Sequence, residues 1–598
     1  MKTYLATTGI SELWDLDSHF LVLGPWCLTD KKNLSMLKDK SYVLIPSPWK
    51  PATKIKEAAD YCYEVYRILL PRLSEGLNFV HGVSYPLKYW QVLIGPWLLY
   101  FIEILYDRYK RVEKVLDMFP DLCTHVLPRE KCKRLSPFDM DDFIGGSSNK
   151  VNDDYYNLIL FSLVIYDLCP QKSIKIDKLL DFKSERHVID TFRYGWKFML
   201  FYRFLRRIDS FLKCPLALAD MYHLDFSDIL RLKLKTGFNK VSFRLFDSLK
   251  KETFLKDNFS FCFRKKLSLK GASDKFQSLL YKVLPDAILM SYMENYKLYR
   301  DNNKSDDSIK IVGSTVGWES NERFKFFAAE AAAKEAYLVD FQHGGAYGNL
   351  LALSLENISC EKDRFYVWGW GGQNDKASKL KNLPSPHLSK IKDTDFCKKE
   401  QILFISTGLP RYHFRFFTVP QPEEFISYLS DQIELFDAIP DKIRKNITYR
   451  PYTRDYGWGE KEKLLQRYPD IKLFEEGNII EVMQEAKLVI LDHPLTSFIE
   501  ALTVNVPSIL FWDHDVWLMC PEAEKYFAML RSSGILYKTP IEAAKKIVDI
   551  FNNPLSWWQT KEVQDSRNAF LERFGYSKKN WMDYWVKEFH SLVYNRKN

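Results

Sequence analysis

The chain has 598 residues, 46% of them hydrophobic and 27% charged, which excludes a disordered chain and exceeds what one hydrophobic core usually holds. Its 86 basic and 77 acidic residues leave a net charge of +9, too small a bias to indicate nucleic-acid binding. Ten cysteines without a C-x-x-C pair, no signal-peptide pattern and no apolar run of about 20 residues predict a cytoplasmic protein without a membrane-spanning helix.

The first half predicts three strands followed by two long helices. The strands are expected at residues 4–8, 20–26 and 41–46, and the helices at 52–73 and 87–118. The longest apolar run, 92–102, indicates a buried helix rather than a membrane span. We assign residues 1–304 to an N-terminal Rossmann-like domain with a helical insertion rich in basic and aromatic residues.

The topology of residues 152–294 does not follow from the sequence. Inside this stretch, residues 197–207 mix bulky apolar and basic side chains. A helix of this composition either packs with its basic side chains reaching solvent or lies at a membrane surface. We favour packing, and the cytoplasmic assignment leaves room for peripheral contact with the inner membrane.

The second half alternates short apolar runs with helical patterns. Strands are expected at 309–315, 336–341, 364–370, 401–407, 447–452, 471–475, 487–492 and 508–513. Strands separated by single helices predict a parallel sheet covered on both faces. We therefore assign 305–552 to a C-terminal Rossmann-like domain, take the polar run 302–307 as the linker, and expect 553–598 to pack across the domain junction.

A glycine-rich segment, residues 340–348, carries the strongest local signal for chemistry. Gln342, His343, Gly344 and Gly345 follow a predicted strand, and open α/β sheets bind ligands at the carboxyl ends of their strands. Glycines let the backbone approach a ligand, and a neutral imidazole can accept a proton from a hydroxyl near pH 7. The alternative is a structural turn in which the histidine caps a carbonyl.

One strand earlier, the small-residue segment 313–321 places Glu319 at a second strand end. If the two strands are neighbours, Glu319 and His343 share a crevice, where Glu319 could orient the histidine, act as a base or bind a sugar hydroxyl. A carboxylate near a helix start, stabilised there by the helix dipole, explains the same residue equally well.

A third strand end, at residues 491–502, is followed by hydroxyl residues that open a helix. The helix start is the element of interest, because N–H groups and the dipole at this end suit a phosphate. The residues concerned are Asp492 at the strand end, Thr496 and Ser497 at the helix start, and Glu500 one turn further, within reach of ribose hydroxyls. Ordinary capping by a hydroxyl is the alternative.

Arginines at two other strand ends are candidate phosphate or carboxylate ligands, because a guanidinium can bind such groups with two parallel hydrogen bonds. They are Arg411, Arg450 and Arg454. Surface ion pairing is the alternative role. The D-x-D pairs 139/141 and 513/515 match a metal-binding pattern that arises easily by chance, so we expect no metal site and no cofactor beyond a donor substrate.

The combination of Q-H-G-G at 342–345, R-P-Y at 450–452 and T-S-F-I-E-A-L at 496–502 resembles the GT-B glycosyltransferases of bacterial surface-polysaccharide clusters. The aromatic segment 89–108 resembles a transferase family of O-antigen and capsule loci. The C-terminal half is also similar in pattern to capsule Kdo transferases and to enzymes that handle sialic-acid-like nonulosonic sugars such as pseudaminic acid.

This resemblance implies a GT-B-like α/β fold, with two Rossmann-like domains facing across a cleft and helical additions. In that fold, residues 1–304 would form the acceptor-side domain and residues 305–552 the nucleotide-sugar-binding domain. The resemblance also implies a metal-independent glycosyltransferase with a CMP-linked nonulosonic or Kdo-type donor and a capsule or O-antigen glycan, free or lipid-linked, as acceptor. His343, Glu319 and Asp492 are then catalytic candidates. The implied donor-binding residues are Gln342, Gly344, Gly345, Arg411, Arg450, Arg454, Thr496, Ser497 and Glu500.

Two other functions remain open at this point. One is a transferase of CDP-linked polyol phosphates on the same fold, and the other is a non-catalytic protein that binds sugar nucleotides. The related capsule enzymes tend to carry R-x-H-P where this chain has Arg450-Pro451-Tyr452, so no role of that histidine transfers. The carboxylate that would attack the donor in a retaining mechanism is not identified beyond Glu319 and Asp492.

Overall fold

A computed structural model describes residues 3–145, 149–169, 174–176, 208–209, 211–246, 258–372, 379–392 and 400–595. The basic and aromatic segment 197–207 lies outside these residues. Within them, no helix is both long and apolar enough to cross a membrane.

The described strands form three parallel sheets, which we call the first, middle and third sheets. The first has the order β3-β2-β1-β4-β5 and contains β1 Thr3–Ala6, β2 His19–Val22, β3 Tyr42–Leu44, β4 Leu122–Val126 and β5 Ile174–Ile176. The middle sheet has the order β11-β10-β9-β8-β6-β7 and contains β6 Leu216–Ala219, β7 Val241–Arg244, β8 Ile311–Ser314, β9 Tyr337–Phe341, β10 Arg364–Val367 and β11 Leu380–Asn382. The third has the order β14-β13-β12-β15-β16-β17 and contains β12 Ile402–Ile405, β13 Ile447–Arg450, β14 Lys472–Leu473, β15 Leu488–Leu491, β16 Ser508–Phe511 and β17 Leu536–Tyr537.

Helices connect these strands and cover the sheets. Up to the start of β8 they are α1 Lys31–Met36, α2 Thr53–His81, α3 Leu87–Met118, α4 Arg129–Cys132, α5 Met140–Ile144, α6 Asp154–Leu168, α7 Phe226–Thr236, α8 Phe261–Arg264, α9 Lys275–Ala287 and α10 Tyr296–Asn302. Those that follow are α11 Gly317–Ser320, α12 Glu322–Ala333, α13 Ser354–Cys360, α14 Pro386–Ile391, α15 Phe425–Ala438, α16 Asp441–Arg444, α17 Glu460–Arg467, α18 Ile479–Glu485, α19 Thr496–Val504, α20 Pro521–Ser532, α21 Pro540–Ile550, α22 Pro554–Trp558, α23 Lys561–Phe574 and α24 Trp581–Tyr594.

The predicted α/β class with parallel sheets is confirmed. Each strand predicted in the second half is present, a few residues shorter than expected, because the apolar runs continue into the buried ends of the following loops. The apolar run 92–102 lies inside α3 and is buried throughout, as predicted. The short strands β11 and β17 were not predicted, and neither were β4 to β7.

Sheet membership differs from the predicted domain boundary at residue 304. β6 lies before the polar run 302–307 and pairs with β8 after it, so the run connects two neighbours of one sheet. Asn303 and Ser305 of this run are buried. The Asn303 amide donates to the carbonyl of Tyr299 at 2.7 Å and accepts from Arg323. Polar composition alone suggested a linker, whereas the hydrogen bonds make this run part of the middle sheet's unit.

The predicted domain 305–552 is therefore divided between two sheets. β8 to β11 belong to the middle sheet and β12 to β17 to the third. The two Rossmann-like units that face each other are thus built on the middle and third sheets, and the first sheet is an additional unit.

The terminal helices contact both facing units. Trp581, Trp585 and Phe589 of α24 share a hydrophobic core with the middle sheet. Phe570 and Phe574 of α23 share a core with α19 and α20, which belong to the third unit. The two helices thereby cover the junction between the facing sheets from one side.

Candidate active site

The strand orders define where a ligand is expected. In the middle sheet the chain goes from β6 to β7 on one side and then to β8 on the other, and in the third sheet β12 is likewise flanked by β13 and β15. Open α/β sheets bind ligands at the carboxyl edge where the strand order reverses in this way. The loops after β6 and β8, and those after β12 and β15, are therefore the candidate ligand-binding loops.

The glycine-rich loop after β9 touches the start of α19 from the opposite sheet. The backbone N–H of Gly345 donates to Thr496 Oγ1 at 3.1 Å. A Cβ atom on Gly345 would lie 2.9 Å from Ile499 Cδ1 and 3.0 Å from Thr496 Cα, so only glycine permits this approach. The geometry thus brings together the two segments that the sequence analysis singled out as parts of one site.

Gln342 holds the loop in place. Its Nε2 donates to the carbonyl of Gly344, and its Oε1 accepts from the backbone N–H of Trp368 and from Trp370 Nε1, each at 2.8 Å. These bonds anchor the loop to the residues that follow β10. In the structure Gln342 is therefore a positioning residue, although the sequence analysis listed it among the donor-binding residues.

His343 projects into the junction between the sheets and is half-buried. Burial lowers its pKa from the ordinary value of 6.5, and nearby Arg415 acts in the same direction, while Glu319 and the carbonyl of Thr315 oppose the shift. Its Nδ1 lies 3.5 Å from the Tyr347 hydroxyl. The imidazole is consequently neutral near pH 7 and can accept a proton.

Glu319 lies in the same electrostatic neighbourhood as His343, as predicted from the neighbouring strands β8 and β9. Its Oε1 accepts from the Tyr100 hydroxyl at 2.7 Å and lies 3.5 Å from Arg415 Nη1. The hydrogen bond from Tyr100 therefore orients the carboxylate, and Arg415 places a positive charge near it. Arg415 was not predicted, because it lies further along the chain from the strand at 401–407 than Arg411 does.

The start of α19 offers uncapped N–H groups. No side chain caps this nine-residue helix, and Thr496 and Ser497 are half-buried at its first turn. Such a helix end stabilises an anion through its N–H groups and its dipole. One turn on, the buried Glu500 carboxylate accepts from His387 Nε2 at 2.7 Å.

Two histidines and a tyrosine of the middle unit complete the junction. His223 stacks on His387 with 4.1 Å between ring centroids. Tyr222, 56% exposed, lies beside His223, and its pKa is raised by burial and by Glu500 and Tyr452 of the third unit. The sequence analysis did not predict this loop, because it lies in residues 152–294, whose topology was not assigned. The apolar run of β6 just before it is the pattern that could have indicated a strand end there.

The loop carrying His223 follows β6, one of the two strands at the point of reversed order. His223 has a φ of 73° and Asp220 a φ of 46°, conformations that non-glycine residues rarely adopt and that cluster at functional sites. Tyr222 N donates to Thr315 Oγ1 at 2.8 Å, which ties this loop to the one after β8. Burial, followed by His387 and His343, lowers the pKa of His223 to about 2, so this imidazole is neutral.

The predicted arginines make contacts within the protein. Arg411 donates to the carbonyl of Asn152 at 2.8 Å and pairs with Asp154, which ties the third unit to the first. Arg450 donates to the carbonyl of Phe474 at 3.1 Å, beside the edge strand β14. Arg454 is exposed next to Tyr456.

Asp492 is buried inside the third unit rather than presented at the junction. Gln432 Nε2 donates to its Oδ2 at 2.8 Å, and His493 Nδ1 lies 2.9 Å from its Oδ1. Gln432 also donates to Glu460, whose pKa burial raises to about 7. With both oxygens occupied in this polar cluster, Asp492 is held away from the role of an exposed nucleophile that the sequence analysis considered.

The D-x-D pairs have structural partners. Asp139 caps α5, and Asp513 accepts from the N–H of Asp515, whose side chain pairs with Lys538. Over the described part of the chain, no three His, Cys, Asp or Glu side chains are grouped so as to hold a metal ion.

Comparisons with known proteins give a family. No curated protein matches the sequence. Solved structures that match include a mutant O-GlcNAc transferase of Thermobaculum terrenum, 11% identical, with a TM-score of 0.30 and coverage of 91% of this chain and 99% of that one. MurG of Acinetobacter baumannii, also 11% identical with a TM-score of 0.30, covers 63% of this chain and 99% of its own. At these TM-scores neither structure adds to the argument from strand order.

Residues 3–589 match the family described as LIC12162 family transferase. The match covers the three sheets, the candidate active site and most of the terminal helices. The chain therefore belongs to the LIC12162 family of transferases.

Proposed function

We propose that this transferase is a glycosyltransferase that moves a nonulosonic or Kdo-type acid from its CMP donor onto a capsule or O-antigen glycan. The observation that carries the proposal is the 3.1 Å hydrogen bond from Gly345 N to Thr496 Oγ1. It sets an imidazole-bearing loop of one Rossmann-like unit against an uncapped helix start of the other.

In the proposed reaction, a hydroxyl oxygen of the acceptor forms a bond to the anomeric carbon of the sugar. The bond between that carbon and the phosphate oxygen breaks, and CMP leaves with the bonding electrons. His343 receives the hydroxyl proton, which requires the neutral imidazole that burial favours. The N–H groups of α19 and Arg415 stabilise the charge that develops on the departing phosphate.

Side chains around Glu500 support the assignment of the donor-binding groups. Glu500 lies one turn into α19 and is the candidate ligand for the hydroxyls of the donor's ribose. Tyr222 and Tyr452, 56% and 41% exposed, extend from opposite units near Glu500 and offer ring faces to a sugar or a base.

A thermal-shift panel of CMP, CDP, UDP and GDP, each with and without its sugar, tests the donor class. A ligand that binds only the folded chain raises the melting temperature. At a concentration of 100 times its Kd it adds about 2.7 kcal/mol to the free energy of unfolding. We expect CMP and its ulosonic-acid conjugates to give the largest shift, in EDTA as well as in Mg²⁺. No shift with any nucleotide would overturn the proposal.

Product analysis by mass spectrometry then separates the remaining functions. Transfer of an ulosonic acid and transfer of glycerol phosphate from a CDP donor add different masses to the acceptor. A shift with CDP-glycerol and the corresponding product mass would establish the polyol-phosphate reaction instead. CMP binding without any turnover would identify a binding protein.

A further inference from the structure

His387 is the partner of the carboxylate that the proposed function assigns to the donor's ribose. His387 lies in α14, next to the middle sheet, and Glu500 lies in α19 of the third unit. A carboxylate only accepts hydrogen bonds, so the 2.7 Å contact is a bond donated by His387 Nε2 to Glu500 Oε1. This bond crosses the junction between the two facing units.

The hydrogen bond between His387 and Glu500 matters for the carboxylate because both side chains are largely buried. The side chains of His387 and Glu500 are 16% and 9% exposed. A buried carboxylate without a partner loses its hydration and gains nothing in return. Among the residues that the structure describes, no hydrogen bond is recorded to Oε2 of Glu500, so the pairing orients one oxygen and leaves the other for a ligand.

His223 fixes the imidazole ring of His387 from the other side. The two rings are nearly parallel, with 16° between their planes and 4.1 Å between centroids. His223 itself is held in the loop after β6, at the point where the strand order of the middle sheet reverses. The orientation of Glu500 therefore depends on residues that belong to the opposite unit.

We infer that His387 is a positioning residue for donor binding: it sets the Glu500 carboxylate to receive the ribose hydroxyls, with His223 as the support of its ring. This inference rests on the proposed function, because it assumes that a nucleotide occupies the start of α19. It adds a residue that none of the sequence motifs contains and explains why the site needs both units for nucleotide affinity.

Two substitutions of His387 separate the hydrogen bond from the ring. His387→Gln keeps a nitrogen that can donate to Glu500 and removes the stacked ring. His387→Phe keeps the ring and removes the donor. Each variant of the full chain is compared with the unchanged protein for its CMP Kd by calorimetry, for kcat and KM of transfer, and for melting temperature.

We expect His387→Phe to weaken CMP binding by about 10- to 100-fold, the effect of losing a hydrogen bond to a charged group. The CMP Kd and the donor KM should both increase, while kcat at saturating donor stays within about threefold of the unchanged protein. His387→Gln should retain most of the affinity. Glu500→Gln combined with His387→Phe should cost little more than either alone, since the two residues act as one unit.

The outcomes distinguish this inference from the proposed function. If the unchanged protein binds no nucleotide, the proposed function fails first. If it binds CMP and His387→Phe binds equally well, only the positioning role is overturned. Equal losses of melting temperature in the Gln and Phe variants without a change in Kd would show a purely structural contact, which also overturns the inference.

Discussion

At the scale of single residues, His343 owes its properties to where it lies. The glycines on its C-terminal side place the ring in the junction, and burial keeps the imidazole neutral. Gln342, one residue earlier, uses its amide to hold the loop rather than a ligand. Two adjacent polar residues thus differ in role, because both ends of the Gln342 amide are bonded to the loop and to the residues after β10.

We expect His343→Ala to lower kcat by about 10²- to 10⁴-fold, the usual contribution of a general base, while the melting temperature stays close to that of the unchanged protein. Steady-state kinetics with a CMP-sugar donor measure the effect. His590→Ala, in the last helix beside Lys240, is the control and should keep full activity. Undiminished turnover of His343→Ala would remove this residue from the mechanism.

The pH dependence follows from the direction of the His343 shift. A general base works in its neutral form, so kcat/KM falls as the pH drops through its pKa. Because that pKa is lowered from 6.5, the activity plateau should extend to more acidic pH than an ordinary histidine allows. A kcat/KM profile that already declines above pH 7 towards acid would contradict this assignment.

At the scale of elements, the site depends on a close approach between a loop and a helix start. The loop after β9 belongs to the middle unit and the first turn of α19 to the third, and the backbone N–H of Gly345 donates to the side-chain oxygen of Thr496 between them. Close packing of this kind leaves no room for a side chain. The glycine is therefore required by the contact with α19 and not by the turn alone.

Gly345→Val should disrupt this contact, because its Cβ would lie within 3.0 Å of the backbone at Thr496. We expect at least a tenfold loss of kcat/KM together with weaker CMP binding, an effect of about 1.4 kcal/mol or more. Gly344→Ala is the matched control. Its Cβ would meet only the Thr496 Oγ1 atom, at 3.3 Å, so its loss should be smaller. Equal activity of the two variants would argue against the loop–helix contact.

At the scale of the whole molecule, a buried charge network joins the first unit to the segment that leads into the third. Asp107 in α3 accepts from Trp49 Nε1 at 2.7 Å and from Arg108 and Arg111, and all three charged side chains are buried. Arg108 also donates to the carbonyl of His413 at 2.6 Å. The network therefore fixes how the first unit sits against the residues between β12 and α15.

Asp107→Asn should destabilise the fold by about 3–5 kcal/mol, since it leaves the buried Arg108 without a negative partner and Arg111 with Glu423 alone. Although burial by itself raises the pKa of Asp107, Arg111 and Arg108 hold it below its usual range. The carboxylate's contribution is present above about pH 4, its unfolded pKa, and is lost as the pH falls below that value.

Urea unfolding midpoints measure this difference, which should shrink below about pH 4. Glu12→Gln, at an exposed ion pair with Lys32, is the control and should leave the midpoint nearly unchanged. Similar midpoints for Asp107→Asn and the unchanged protein at pH 7 would show that the network contributes nothing to stability.

Much of the site was predictable because its signals are local. Apolar runs followed by small or hydroxyl residues mark strand ends, and this pattern led to His343, Glu319 and Thr496, which the structure brings into one junction. The partners of the arginines were not predictable in this way: Arg411 pairs with Asp154 of the first unit and Arg450 donates to a neighbouring carbonyl, and their role in donor binding stays a prediction. Strand-end position predicts where a side chain starts, but not which partner it meets.

The sequence by itself determined the order of the strands in the second half, except for the short strands β11 and β17, because period and turn residues act over a few positions. Only the tertiary structure decided that β6 pairs with β8, that three sheets exist and that His387 meets Glu500. Those pairings join segments far apart in the chain. They depend on which apolar surfaces pack together and which polar groups hydrogen-bond in the folded chain. Local sequence patterns do not contain that information.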